Sequence, residues 1–222
     1  MKRLILQHYT GTPGELELLS MRNIQDFAKR EAADYLFLEG NVFAEGLSAP
    51  MQKLAMLDER FDAYDVVVML DMDMFVRKGL QESLFDQPGI GVSGYSQRRL
   101  KWRHLRKFSG LVHWRYPYWN GSLWKLDRWH RQTFRSKLDL VELSRYSAGE
   151  LEDEGVMHQL ARHNRFHGGI LPGGEKWAMS SWWPNLEEGA MYHIRPRVTK
   201  NGPVRPKLEN LRKIADMGLI DI

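Results

Sequence analysis

The sequence has 222 residues, 43% of them hydrophobic, enough to enclose one good core in a single α/β domain. It has no cysteine, which excludes disulfides and thiolate metal sites and leaves oxygen and imidazole ligands, a set that favours magnesium or manganese over structural zinc. The net charge is only +4, but residues 98–107 (RRLKWRHLRK) hold six basic residues and no acid, and 195–213 is also basic, which points to an anionic ligand or surface.

In chain order, apolar runs alternate with helix-period segments, the pattern of a mainly parallel sheet with helices on its faces. The first six residues begin like a secretory signal, but the apolar run breaks at Gln7 and His8, so 4–8 is read as the first strand. Met21, Ile24 and Ala28 follow at helical spacing, and 35–38 supplies a second strand ending at Glu39 and Gly40. Leu54, Leu57 and Phe61 share one face of a next helix. The third strand, 66–70 (VVVML), is an unbroken apolar run, as expected of a strand covered on both faces, and it runs into Asp71, Met72 and Asp73. Further on, 89–94 reads as a short strand, 118–126 as extended and aromatic, 151–163 as a helix with acids in its first turn, and 190–194 as a last strand. Prolines and charges after about Thr199 predict a tail, giving a domain over 1–199 and a tail over 200–222 that packs on the domain or extends from it. No run of about 18 apolar residues occurs, so the expectation is a soluble, cytoplasmic chain.

Asp71 and Asp73 carry the strongest chemical signal. Two carboxylates directly after a buried strand sit at the carboxyl edge of the sheet, where open α/β sheets bind ligands. With one residue between them they can point to the same side, and their repulsion makes the site costly unless a cation neutralises it. The same residues would also fit a solvated acidic turn.

The stretch 64–73 (YDVVVMLDMD), preceded by a helix carrying Lys53, resembles the DxD segment of GT-A glycosyltransferases. That resemblance implies a single Rossmann-like GT-A domain, an enzyme that moves a sugar from a nucleotide-diphosphate donor, and a manganese or magnesium ion held by Asp71 and Asp73 against the diphosphate. Three later segments fall in the order the resemblance requires. Residues 119–124 (WNGSLW) are similar to the N-x-G strand of such enzymes and imply donor contacts at Asn120 and Gly121. The acids Glu152, Asp153 and Glu154 resemble the acidic segment beside the anomeric carbon, which implies catalytic roles for Asp153 or Glu154, although acids in a first helical turn also simply meet the helix dipole. Residues 191–194 (MYHI) are similar to the late strand whose histidine, here His193, completes the metal ligands. By the same resemblance His8, Tyr9 and Thr10 meet the base and ribose, with Glu39 a second candidate for that contact.

The resemblance covers roughly 1–195 and departs from the family pattern after His193, where Arg195, Arg197 and Lys200 replace the usual glycine and lysine arrangement. The basic run 98–107 would then dock a glycan or lipid-linked acceptor of anionic character, or the inner face of a membrane, ahead of nucleic acid. Eight tryptophans are available to pack on sugars or in the core. Two rival readings stay open. A haloacid-dehalogenase-type phosphatase also sets Asp-x-Asp after an apolar strand, but on its first strand, and with Thr or Val where Phe75 stands here. The other rival is a carbohydrate- or nucleic-acid-binding module with a structural ion.

Overall fold

The structure, a computed structural model, describes residues 1–92, 119–146, 152–165, 169–196 and 206–222. A five-stranded sheet is built from β1 (Arg3–Tyr9), β2 (Asp34–Glu39), β3 (Val66–Leu70), β5 (Gly91–Val92) and β6 (Asn120–Asp127), in the order β2-β1-β3-β6-β5. β1 pairs parallel with both β2 and β3, while β6 is antiparallel to β3 and to β5, so β6 alone runs against the others. A small second sheet, in the order β4-β8-β7, contains β4 (Met74–Val76), β7 (Met179–Ser180) and β8 (Met191–His193). The architecture is α/β with a mostly parallel central sheet flanked by helices, as the sequence predicts.

Side chains alternate across the central sheet with the two-residue period of a strand. Leu4, Leu6, Val67, Met69, Trp124 and Leu126 face one layer, with Leu54, Leu57, Phe61, Val156 and Leu160 packed against them. Ile5, Val68, Leu70 and Leu123 face the other, under Ile24, Phe27 and Ala28 of α1 (Glu15–Arg30). The α1 helix begins with Glu15 and Glu17 and ends with Lys29 and Arg30, charges that complement its dipole.

Several elements differ from the sequence expectation. Leu54, Leu57 and Phe61 lie on two 3-10 pieces, Pro50–Leu57 and Glu59–Phe61, and not on one face of an α-helix. Met51, Gln52 and Leu54 through Leu57 are all buried, so apolar residues surround this segment and leave no one-sided stripe. A helix over Arg128–Arg135, α2, was not anticipated, because only Arg131 and Phe134 bury and Trp129 is exposed; the Asp127 carboxylate, which accepts from His130 N at 2.7 Å, is its start signal. The acidic helix is α3 (Glu152–His163); of the proposed strand 89–94, residues 89–92 are described, and only Gly91 and Val92 of these form a strand, β5. The C-terminal segment forms α4 (Lys207–Asp216), whose Leu211 and Ile214 join Phe75, Tyr192 and Ile194 in a third core cluster. Among the described residues no helix is long and apolar enough to cross a membrane. The basic run 98–107, Arg197 and Lys200 lie outside the described residues.

Candidate active site

The turn 71–73 joins the two sheets. Asp71 N donates to Ser122 O at 3.0 Å, and Asp73 O accepts from Ile194 N at 2.8 Å, so one backbone group is tied to β6 and the next to the end of β8. Beneath the turn, the buried Gln7 amide donates to the Asp71 carbonyl at 3.1 Å and to Ser20 Oγ at 3.0 Å, and Ser20 Oγ donates to Met74 O at 2.8 Å. Between the two acids Met72 is buried, 6% exposed. The two carboxylates are therefore fixed by backbone and core.

β4 pairs with β8 so that Met74 lies opposite His193, which delivers the imidazole to the acids. His193 Nε2 is 3.1 Å from Asp73 Oδ1 and 3.8 Å from Asp71 Oδ2. Ligand atoms of the three residues lie within 4.8 Å of one another, the only such cluster of three found among the described residues. Two carboxylates and an imidazole suit a hard or borderline divalent ion. One contact has to change for an ion to bind: His193 Nδ1 accepts from Arg195 Nε at 3.1 Å, and a neutral imidazole has only one lone-pair nitrogen, so ligation through Nε2 requires Arg195 to turn away.

Lys53 organises the other side of the site. Its Nζ lies 2.7 Å from Asp71 Oδ1, 2.7 Å from Asp153 Oδ2 and 2.8 Å from Gly121 O. Burial disfavours the ammonium, but the Asp153 and Asp71 carboxylates outweigh it and hold Lys53 above its ordinary range. Gly121 is required by close approach, since a Cβ there would strike the Asp153 carboxylate. Its N–H donates to Glu154 Oε1 at 2.7 Å, and Glu152 is tied to Ser48 Oγ. Asn120 Oδ1 accepts from Ser122 N at 2.9 Å.

A cleft of about 360 Å³ opens in front of these groups. His8, Tyr9, Thr10, Lys53, Asp71, Met72 and Asp73, all anticipated from sequence, line it. His8 donates its Nε2–H to Gly40 O at 2.7 Å; burial lowers its pKa, so the ring enters as a neutral group. Asp153 is 3% exposed and Glu154 4%, so both acids lie behind Lys53 and not on the cleft wall. Glu39 is exposed at the end of β2 and does not line the cleft.

Sequence reasoning missed four of the lining residues, Glu17, Ala49, Pro50 and Lys207, of which Lys207 reaches the acids. It lines the cleft from the start of α4, with Nζ 2.6 Å from Asp73 Oδ2. Burial raises the carboxyl of Asp73, yet His193 and Lys207 beside it outweigh that and hold it below the usual carboxylate range. The available signal was a cation in a first helical turn after Pro206, where the helix dipole disfavours positive charge.

No protein-family model and no curated protein matches this sequence. Solved structures do match in fold. One, a glycosyltransferase involved in the glycosylation of the major capsid of PBCV-1, superposes with a TM-score of 0.54 at 10% identity, covering 97% of this chain and 100% of that one. An active-site mutant of LgtC gives a TM-score of 0.55 at 12% identity, covering 99% of this chain and 97% of that one. The chain thus has the overall fold of these proteins, the GT-A glycosyltransferase fold implied by its sequence resemblance.

Proposed function

We propose that this chain is a metal-dependent glycosyltransferase that moves a sugar from a UDP- or GDP-sugar to the hydroxyl of a glycan or lipid-linked acceptor. The observation that carries the reading is the Asp71, Asp73 and His193 cluster, whose two acids line the 360 Å³ cleft at the carboxyl edge of a sheet with this fold. In this reading the three side chains hold manganese or magnesium. Such an ion, when bound, supplies Lewis-acid neutralisation of the charge that develops on the departing diphosphate.

The chain's own groups would do the rest. His8, Tyr9 and Thr10 form the wall offered to the base and ribose, and neutral His8 brings no charge there. Lys53 holds Asp71 at one side of its ammonium and Asp153 at the other, fixing the distance between the ion site and the acidic helix. Asp153 is the proposed base for the acceptor hydroxyl, a role that requires the Lys53 ammonium in front of it to move aside, while Glu154, bonded to Gly121 N, positions the start of β6. The basic run 98–107 is the proposed contact for an anionic acceptor or for the inner face of a membrane.

Measuring UDP and GDP release from a panel of nucleotide sugars, with and without manganese, tests the proposal. Metal-dependent release is expected, and Asp73→Ala should remove metal-dependent diphosphate binding while leaving the melting transition cooperative. Release of inorganic phosphate from a simple phosphoester would instead favour a phosphatase, and sugar binding with no turnover a binding module.

A further inference from the structure

We propose that Lys207 is an exchangeable cation of the cleft: its ammonium competes with the divalent ion for Asp73 and, once displaced, binds the diphosphate of the donor. The inference rests on the donor chemistry proposed above and adds the C-terminal helix to that site.

Both oxygens of Asp73 are engaged, Oδ2 by Lys207 Nζ at 2.6 Å and Oδ1 by His193 Nε2 at 3.1 Å. An ion ligated by Asp73 and His193 therefore meets Lys207 at the same carboxylate, where a divalent charge and an ammonium repel each other. The helix itself is not free to withdraw. Leu211 and Ile214 are fully buried, and the buried Asn210 donates from Nδ2 to Arg195 O at 2.8 Å. Movement is left to the lysine stem, whose side chain is 42% exposed and which forms a wall of the cleft. A displaced ammonium thus stays in the cleft, facing whatever ligand fills it.

Charge gives the destination. Asp71, Asp73, Asp153 and the cleft-lining Glu17 outnumber the ammoniums of Lys53 and Lys207 that face them. A divalent ion offsets that excess, and a diphosphate diester brings in the negative charge that a displaced Lys207 can meet. The N-terminus of α4 adds its partial positive charge on the same side, which disfavours Lys207 by itself and favours an anion beside it. Lys207 is thereby held at an unfavourable helical position by Asp73, and an anion offers the same compensation.

The test compares wild type with Lys207→Met in two calorimetric titrations: Mn²⁺ alone, and then UDP and GDP in turn at saturating Mn²⁺. The variant should bind Mn²⁺ roughly tenfold more tightly and the nucleotide roughly tenfold more weakly, the scale of one charge-assisted hydrogen bond. These opposite signs separate exchange from a staple, which would lower thermal stability and leave both affinities alone. Unchanged Mn²⁺ affinity or unchanged nucleotide affinity overturns the proposal. If Lys207→Met loses its cooperative melt, Lys207→Gln is read in the same titrations. Wild-type protein that takes up Mn²⁺ but neither nucleotide sinks the donor reading and the second half of this proposal, whereas the Mn²⁺ arm alone decides whether Lys207 competes for Asp73.

Discussion

Lys53 is enclosed by oxygen: Asp71 Oδ1 and Asp153 Oδ2 at 2.7 Å and Gly121 O at 2.8 Å. Removing an ammonium from water costs several kcal/mol, and only the two carboxylates offset it here, so the three charges behave as one unit. Asp153 is the acid of that unit that is not itself an ion ligand, so binding and turnover can be read separately when it is changed. Asp153→Asn leaves Asp71, Asp73 and His193 in place and keeps Lys53 paired with Asp71. Nucleotide binding should persist while turnover falls about 100-fold or more, the usual scale for losing general-base help. Glu154→Gln retains an amide oxygen for the Gly121 N–H bond and should cost far less. Steady-state kinetics with calorimetric UDP binding, at matched melting temperatures, reads both. Wild-type turnover in Asp153→Asn with loss in Glu154→Gln moves the assignment one residue along, and full activity in both leaves the acids as dipole partners of α3.

Between elements, the tie of Asp62 to α2 makes a pH-dependent contribution. Arg135 donates to Asp62 from Nη1 at 3.1 Å and from Nη2 at 2.7 Å, Gln132 adds a bond at 3.2 Å, and Arg135 also reaches Leu57 O at 2.8 Å. Hydrogen bonding from Arg135 holds the Asp62 carboxyl below its ordinary range. A carboxyl lowered on folding stabilises the protein above its unfolded pKa of about 3.9, and the contribution disappears as pH falls through the folded value. Asp62→Asn should therefore cost about 1 kcal/mol at pH 7, a modest figure because the pair is partly exposed, with the gap to wild type closing below about pH 4. Urea denaturation at pH 7, 5 and 3.5 measures it; a gap that stays constant with pH would mean that charge is not involved. The same pair shows why some elements were legible in the sequence and others were not. β1, β2 and β3 are dense apolar runs, α1 carries Met21, Ile24 and Ala28 at helical spacing, and α3 carries acids in its first turn, so sequence located them. α2 is anchored by Arg131 and Arg135 reaching carbonyls of the 57–64 segment, a polar attachment that hydrophobic periodicity does not register. At the site, Asp71 and Asp73 were marked by the core strand before them. Lys207 arrives from 134 residues along the chain, and only tertiary packing of α4 brings it to Asp73.

At the scale of the whole molecule, strand direction decides what can face the cleft. β3 ends at Leu70, opposite Leu123 of β6, and Val92 at the end of β5 lies opposite Asn120 at the start of β6. The chain therefore leaves β5 and re-enters β6 at the sheet edge that carries Asp71, and the first residues of β6 hold Lys53 through Gly121 O. Val92 and Asn120, the described strand residues that flank the basic segment in sequence, both lie at that edge. If Arg98, Arg99, Lys101 and Arg103 receive an anionic acceptor, replacing all four by glutamine should raise the acceptor KM about tenfold or more, since a cation near an anionic surface contributes about 1 kcal/mol. Slow hydrolysis of the donor, which needs only the ion site and the nucleotide wall, should be nearly unchanged. Added salt should weaken acceptor use by the wild type more than by the variant, because screening acts on the same charges. Parallel assays of transfer and donor hydrolysis over a salt series give the answer: equal loss of both activities would assign the segment to donor binding or to the fold, and unchanged transfer would remove the basic run from the reaction.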